Sequence, residues 1–135
     1  MRGSTALLAG LVGAAVGLTA GVVARRGYDV VEVRGRSMAP TLLPGDRLVV
    51  ESRTFARRAP RPGELVLAAD PRQPRRELVK RVAAVDGEAG TLELRGDSAP
   101  ESTDSRTFGA LPLTEVRWRV TARYWPPARV GRLGR

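Results

Sequence analysis

Cysteine and histidine are both absent from this chain. Without cysteine there is no thiol nucleophile and no disulfide, and without either residue there is no Cys/His zinc site. Without histidine no Ser-His-Asp arrangement can form. No metal and no cofactor is expected from the residues that remain. The missing cysteine leaves the redox compartment open, because cysteine-free chains work on either side of a membrane. Aromatics make up only 4% of the residues, which argues against an RNA-stacking platform, and no nucleic-acid partner is expected. Lysine is nearly absent as well. Lys80 stands alone among 22 arginines.

What is present begins with charge. A net charge of +9 suits a polyanion such as anionic lipid, or simply arginine on solvated faces. Where almost every cation is arginine, a single surviving lysine calls for a chemical reason. Arginine keeps its proton in a protein, and lysine can give its proton up.

Residues Ala6 to Ala24 carry no charge and are closed by Arg25 and Arg26. About 20 apolar residues span a bilayer, so the segment reads as one membrane helix. Gly13, Gly17 and Gly21 recur every fourth residue and offer a helix–helix packing stripe, although plain Gly/Ala richness produces the same pattern. The competing reading is a cleaved signal peptide ending at Val22-Val23-Ala24. The apolar run is longer than the usual stretch of about 7–15 residues, which favours a retained anchor. The expected organisation is therefore an anchor at 1–26 and one domain at 27–135, on the extracytoplasmic side of the cytoplasmic membrane. Charge alone does not fix that orientation, since arginine flanks both ends. Membrane lipids are expected partners, with Arg25, Arg26, Arg34 and Arg36 near the head groups.

The remainder predicts an all-β domain with a barrel-like curved sheet, because short Val/Leu-rich runs alternate with Gly, Pro and Asp. Strands are predicted at Asp29–Arg34, Arg47–Ser52, Glu64–Ala69, Glu77–Val85, Thr91–Arg95 and Val116–Trp125. In the last of these, Val116, Trp118, Val120, Ala122 and Tyr124 are expected to share one face. Arg53–Pro62 and Asp70–Arg76 read as solvated Pro/Arg loops. Two Pro-Gly-acid turns, Pro44-Gly45-Asp46 and Pro62-Gly63-Glu64, each precede a strand.

One serine stands out. Ser37 lies in VRGRSMAPTLLPGDRLVV, between small and charged residues and ahead of two prolines. A serine hydroxyl needs a base to become a nucleophile. With histidine missing, that base is a carboxylate or a neutral lysine. Alternation in ELVKRVAAV places Leu78, Lys80 and Val82 on one face. If that face is the inner one, desolvation lowers the lysine pKa, and a fall of roughly 2–3 units from about 10.4 yields a working base. A solvated strand lysine is the other reading of the same pattern.

The segments GRSMAPTLLPGDRLVV, VKRVAAVDGE and RGDSAPESTDSRTFGALP, in that order and spacing, resemble the type I signal peptidases (leader peptidases). The closing RYWPPARVG resembles the end of small bacterial and mitochondrial members. The resemblance implies a curved sheet of the kind shared with self-cleaving SOS-repressor proteases, and a Ser-Lys dyad of Ser37 and Lys80. It implies an oxyanion hole using the Ser37 N–H, with Gly35 where some members carry a second hydroxyl donor. Ser102 matches the serine that orients the lysine. Asp104 with Arg106, and Arg81 with Asp97, match structural ion pairs, while Met38 and Pro40 belong to the nucleophile motif. Ser98 stands where the family usually has asparagine. Only 15 residues separate Lys80 from Gly96, as in minimal members without a large inserted cap.

The implied activity is cleavage of exported precursors after small residues. Two alternatives stay open: a dedicated maturation protease for one precursor, such as nickel-type superoxide dismutase, and a non-catalytic basic module at a membrane.

Overall fold

A computed structural model describes residues 27–134. The membrane-helix reading of Ala6–Ala24, the Gly13/Gly17/Gly21 stripe and Arg25–Arg26 all lie outside the described residues. Among those described, no helix is long and apolar enough to cross a membrane.

Short β-branched and leucine-rich runs punctuated by turns produce eight strands: β1 (Tyr28–Glu32), β2 (Arg47–Glu51), β3 (Leu65–Asp70), β4 (Gln73–Asp86), β5 (Thr91–Arg95), β6 (Leu111–Pro112), β7 (Val116–Trp125) and β8 (Gly131–Arg132). One helical turn, α1 (Ser105–Phe108), is capped by Asp104, whose side chain accepts from the Arg106 N–H. The strands form one antiparallel sheet in the order β1-β2-β7-β3-β4-β5-β6, and β8 pairs with β7.

β3 is buried on both faces, and this shapes the molecule. Leu65 packs with Val33, Met38, Leu42, Leu48, Val50 and Val120. Its neighbour Val66 packs in a second cluster with Ala68, Val82, Leu92, Leu94, Leu111 and Val116. Successive strand residues point to opposite faces, so each end of the sheet covers one side of β3. The expected common face of Val116 and Val120 is thereby corrected. The β3–β7 register shifts where Leu67↔Trp118 gives way to Ala68↔Val116, and that irregularity sends the two valines to different clusters.

A second correction concerns Asp70–Arg76, expected as a loop. Its second half is the start of β4, paired with β3. Pro74 is tolerated because β5 covers only Arg81–Asp86, leaving the earlier part of β4 as an edge where a missing N–H costs no ladder bond.

Gly45 and Gly63 both adopt φ +94°, a backbone conformation that glycine takes without strain. The acid after each glycine is buried and used twice over. Asp46 accepts from the Leu43 N–H at 2.9 Å and from Arg123 and Arg129 at 3.1 and 2.6 Å. Glu64 accepts from the Arg61 N–H at 2.7 Å and from Arg58 and Arg119 at 2.6 and 3.0 Å. Each turn is thus bolted to β7 or its C-terminal extension. Asp46→Ala removes both the turn bond and the acceptor of two half-buried guanidinium groups. It should cost roughly 3 kcal/mol or more in urea denaturation; a change within about 0.5 kcal/mol would show that the bolt is idle.

Candidate active site

Ser37 is carried on the loop from Val33 to Asp46, which closes on itself through Val33 N–H to Asp46 O and Gly45 N–H to Val33 O, both 2.8 Å. Met38 and Leu42 are fully buried in the first core cluster, so the residues beside Ser37 are fixed by packing. Met38 Sδ also accepts from the Asp97 N–H at 3.4 Å. The Ser37 carbonyl accepts from the Ser98 N–H at 2.8 Å, and Thr41 Oγ1 donates to Asp97 Oδ2 at 2.7 Å. Asp97 is held by Arg81 through two bonds of 2.9 and 2.7 Å. On the far side, Arg123 donates to the Thr41 carbonyl at 2.9 Å. Pro40 is exposed and follows a cis peptide bond.

β4 supplies the amine. Leu78, Lys80 and Val82 are all buried, Lys80 to 2% exposure. Lys80 Nζ lies 3.0 Å from Ser102 Oγ, and Ser102 in turn donates to Asp104 Oδ2 at 2.7 Å. Asp104 is closed off by Arg106 through Nε at 3.0 Å and Nη2 at 2.6 Å, and by the Gly96 N–H at 2.9 Å.

The polarity of this chain of bonds follows from elementary chemistry. Burial raises the Asp104 pKa, but the bonds from Arg106, Ser102 and the Gly96 N–H outweigh it, so the carboxyl is held far below its usual range. An ionised carboxylate only accepts, so the one Ser102 proton is committed to Asp104. Ser102 can then only accept from Lys80, and a neutral amine keeps its lone pair free for another proton. Burial lowers the Lys80 pKa from 10.5. Asp104 opposes that shift, while Arg76 and Arg106 reinforce it.

Gly96 joins the two halves of the site. A Cβ there would collide with Ser102 Oγ and stand 2.5 Å from the Ser37 carbonyl oxygen. Only a residue without a side chain lets the Ser37 turn and the Ser102 loop come this close.

Ser37 and Lys80 line one cleft of about 430 Å³, with no hydrogen bond joining them. The cleft floor is apolar, with Val31, Val33, Leu67 and Leu78. Its walls are the outer edge of β1 and the early half of β4, both unpaired on that side. The Ser37 N–H has no acceptor among the described residues. A Cβ at Gly35 would meet nothing within 4 Å, and glycine offers no side-chain donor there. Arg34 and Arg36 line the cleft, and Arg36 pairs with Glu101 at 3.4 Å.

Three features had not been assigned from the sequence: the bolt through Asp46, Arg123 and Arg129, the crowding at Gly96, and Thr41 as the link to Asp97. The repeated Pro-Gly-acid turn was the available signal for the first of these. No group of three or more His, Cys, Asp or Glu side chains suited to a metal occurs among the described residues.

The family described as signal peptidase, peptidase S26, matches residues 5–93, which include Ser37 and Lys80 and stop short of Ser102. The mitochondrial ATP-independent inner membrane protease subunit 1a of Arabidopsis thaliana is 31% identical, over 78% of this chain and 75% of that protein. Subunit 1 of the human mitochondrial inner membrane protease is 28% identical, over 76% and 72% respectively. Subunit 2 from Danio rerio is 29% identical, over 88% of this chain and 75% of its own.

Proposed function

The chain belongs to the signal peptidase family, peptidase S26, and from that premise we propose that it is a membrane-anchored serine endopeptidase that removes signal or leader segments from exported precursors. The observation that carries this reading is the Lys80 amine. It is buried, held by a serine whose proton is already committed, and placed on the same cleft as Ser37.

In the proposed reaction, Ser37 Oγ attacks the scissile carbonyl carbon while its proton passes to neutral Lys80. The oxyanion accepts from the unpaired Ser37 N–H. The C–N bond then breaks as Lys80 returns the proton to the leaving amine. Water, deprotonated by the same amine, attacks the acyl carbon; the bond to Ser37 Oγ breaks as Lys80 returns that proton to Oγ, freeing the acid and the neutral base. Ser102 and Asp104 transfer no proton in this scheme; they aim the amine. The substrate lies extended between the free edges of β1 and β4, as an added strand. Small residues at the cut, as in Ala-X-Ala, suit an extended chain pressed close to the nucleophile turn. Residues 6–24 serve as the anchor, and the β-domain stands on the extracytoplasmic face, where exported precursors present their cleavage sites.

The test is direct. Full-length protein in detergent should cut an Ala-X-Ala precursor peptide at one bond, read by mass spectrometry. Because only unprotonated Lys80 can act, kcat/KM should rise with pH along a limb whose midpoint lies below 10.5. Ser102→Ala should lower the rate by roughly 10–100-fold, as losses of an orienting partner do elsewhere. A limb centred at 10.5 with an unaffected Ser102→Ala enzyme would sink the buried-base mechanism, and absence of any cut would sink the protease reading.

A further inference from the structure

We propose that Arg76 forms a subsite for an acidic side chain of the substrate, about four residues from the scissile bond. The inference rests on the protease reading above and extends it to specificity. Arg76, Leu78 and Lys80 alternate along β4, so they share its site-facing side. All three line the cleft that holds Ser37. At about 3.3 Å per residue, Arg76 sits about 13 Å along the strand from Lys80. A peptide added as a strand advances at the same pitch. A side chain four positions from the bond over Ser37 therefore arrives opposite the Arg76 guanidinium.

Nothing else claims that guanidinium. Arg76 is exposed, and its side chain makes no ion pair or hydrogen bond with any other described residue. Asp70, the acid whose field it shares, is taken by Arg72 through Nε at 3.2 Å and Nη2 at 3.0 Å. Arg34, Arg36 and Arg75 also line the cleft, and of these Arg36 already faces Glu101. Arg76 also reaches the reacting end electrostatically, since its charge is among the influences that hold the Lys80 amine below its ordinary pKa. A planar guanidinium with free donors binds a carboxylate through two parallel bonds, which fits aspartate or glutamate in an extended peptide.

The experiment scans one glutamate through an alanine-rich peptide from five residues before to five after the cut, in 0.15 M salt. At that ionic strength charges beyond about 8 Å are largely screened. Wild-type kcat/KM should peak about 3–5-fold above the all-alanine peptide at one position, three to five residues from the bond. Arg76→Glu should reverse the preference toward lysine at that same position. Arg75→Glu makes the same charge change on a residue that lines the same cleft but lies one position off the Arg76–Leu78–Lys80 alternation of β4, and it should leave the preference for glutamate standing. Equal effects of the two variants would reduce the preference to general electrostatics and overturn the subsite, as would a flat scan on a cleaved peptide. Binding of the same peptides to Ser37→Ala, by fluorescence anisotropy, separates the two readings. An Arg76-dependent preference in binding without wild-type cleavage keeps the subsite and removes the protease. Failure to bind any peptide removes both.

Discussion

Ser37→Ala and Lys80→Ala should each lower the cleavage rate by at least about 10⁴-fold, as loss of a nucleophile or its base does in other serine hydrolases. Among the residues that line the cleft there is no second serine and no second lysine, and histidine is absent from the whole chain. Lys80→Arg should be equally inactive, because a guanidinium keeps its proton at any working pH. Lys80→Met adds a readout that mere misfolding cannot imitate. The amine is almost fully buried, and its removal leaves the Ser102 hydroxyl still donating to Asp104. A methionine of similar length takes an ionisable group out of an apolar site without orphaning a donor. The dead enzyme should therefore melt a few degrees higher than the wild type. An active Lys80→Met enzyme would end the assignment of Lys80 as base.

The second large effect belongs to a residue that performs no chemistry. Gly96→Ala should reduce kcat/KM by about 100-fold or more while the protein still folds. A methyl group there meets Ser102 Oγ and the Ser37 carbonyl together, and the Ser37 side is backbone. Relief requires the Ser37 turn and the Ser102 loop to separate, and a displacement of about 1 Å at a reacting pair is enough for such a loss. Overpacking of this kind costs roughly 1–3 kcal/mol, so the melting temperature should fall without collapse of the fold. Gly35→Ala is the matched control, since a Cβ there meets nothing within 4 Å. Comparable activity in wild type and Gly96→Ala would mean that the two loops need not touch for catalysis.

Much of this was legible from residue order. β5 and β7 run over the very residues that their alternation marks, Thr91–Arg95 and Val116–Trp125. β4 begins earlier than its pattern suggests, because prolines and arginines on an open edge look the same in sequence as a solvated loop. The two clusters that divide Val116 from Val120 arise from a register shift, and periodicity carries no record of a shift. In the site, the uniqueness of Lys80 was readable from composition, and alternation put Leu78, Lys80 and Val82 on one face, but which face is buried is set by the packing of the sheet. Asp46 was read only as a turn residue. Its arginine partners lie 77 and 83 positions away, and no local pattern reports a contact at that range.

The open edges of β1 and β4 have a consequence for how this molecule lives in a crowd. An unpaired strand edge accepts any extended chain, including the edge of a second copy, and is an ordinary starting point for aggregation. This cleft must stay open to peptides, so it cannot be sealed by another strand. Its early β4 edge instead carries Pro74, which lacks an N–H, followed by exposed Arg75 and Arg76. Two such edges brought together would set like charges side by side with a gap in the ladder. Solubility and substrate access thus share the same three residues. An engineer who neutralises those arginines to welcome more apolar peptides also removes the guard that keeps one copy from pairing with the next.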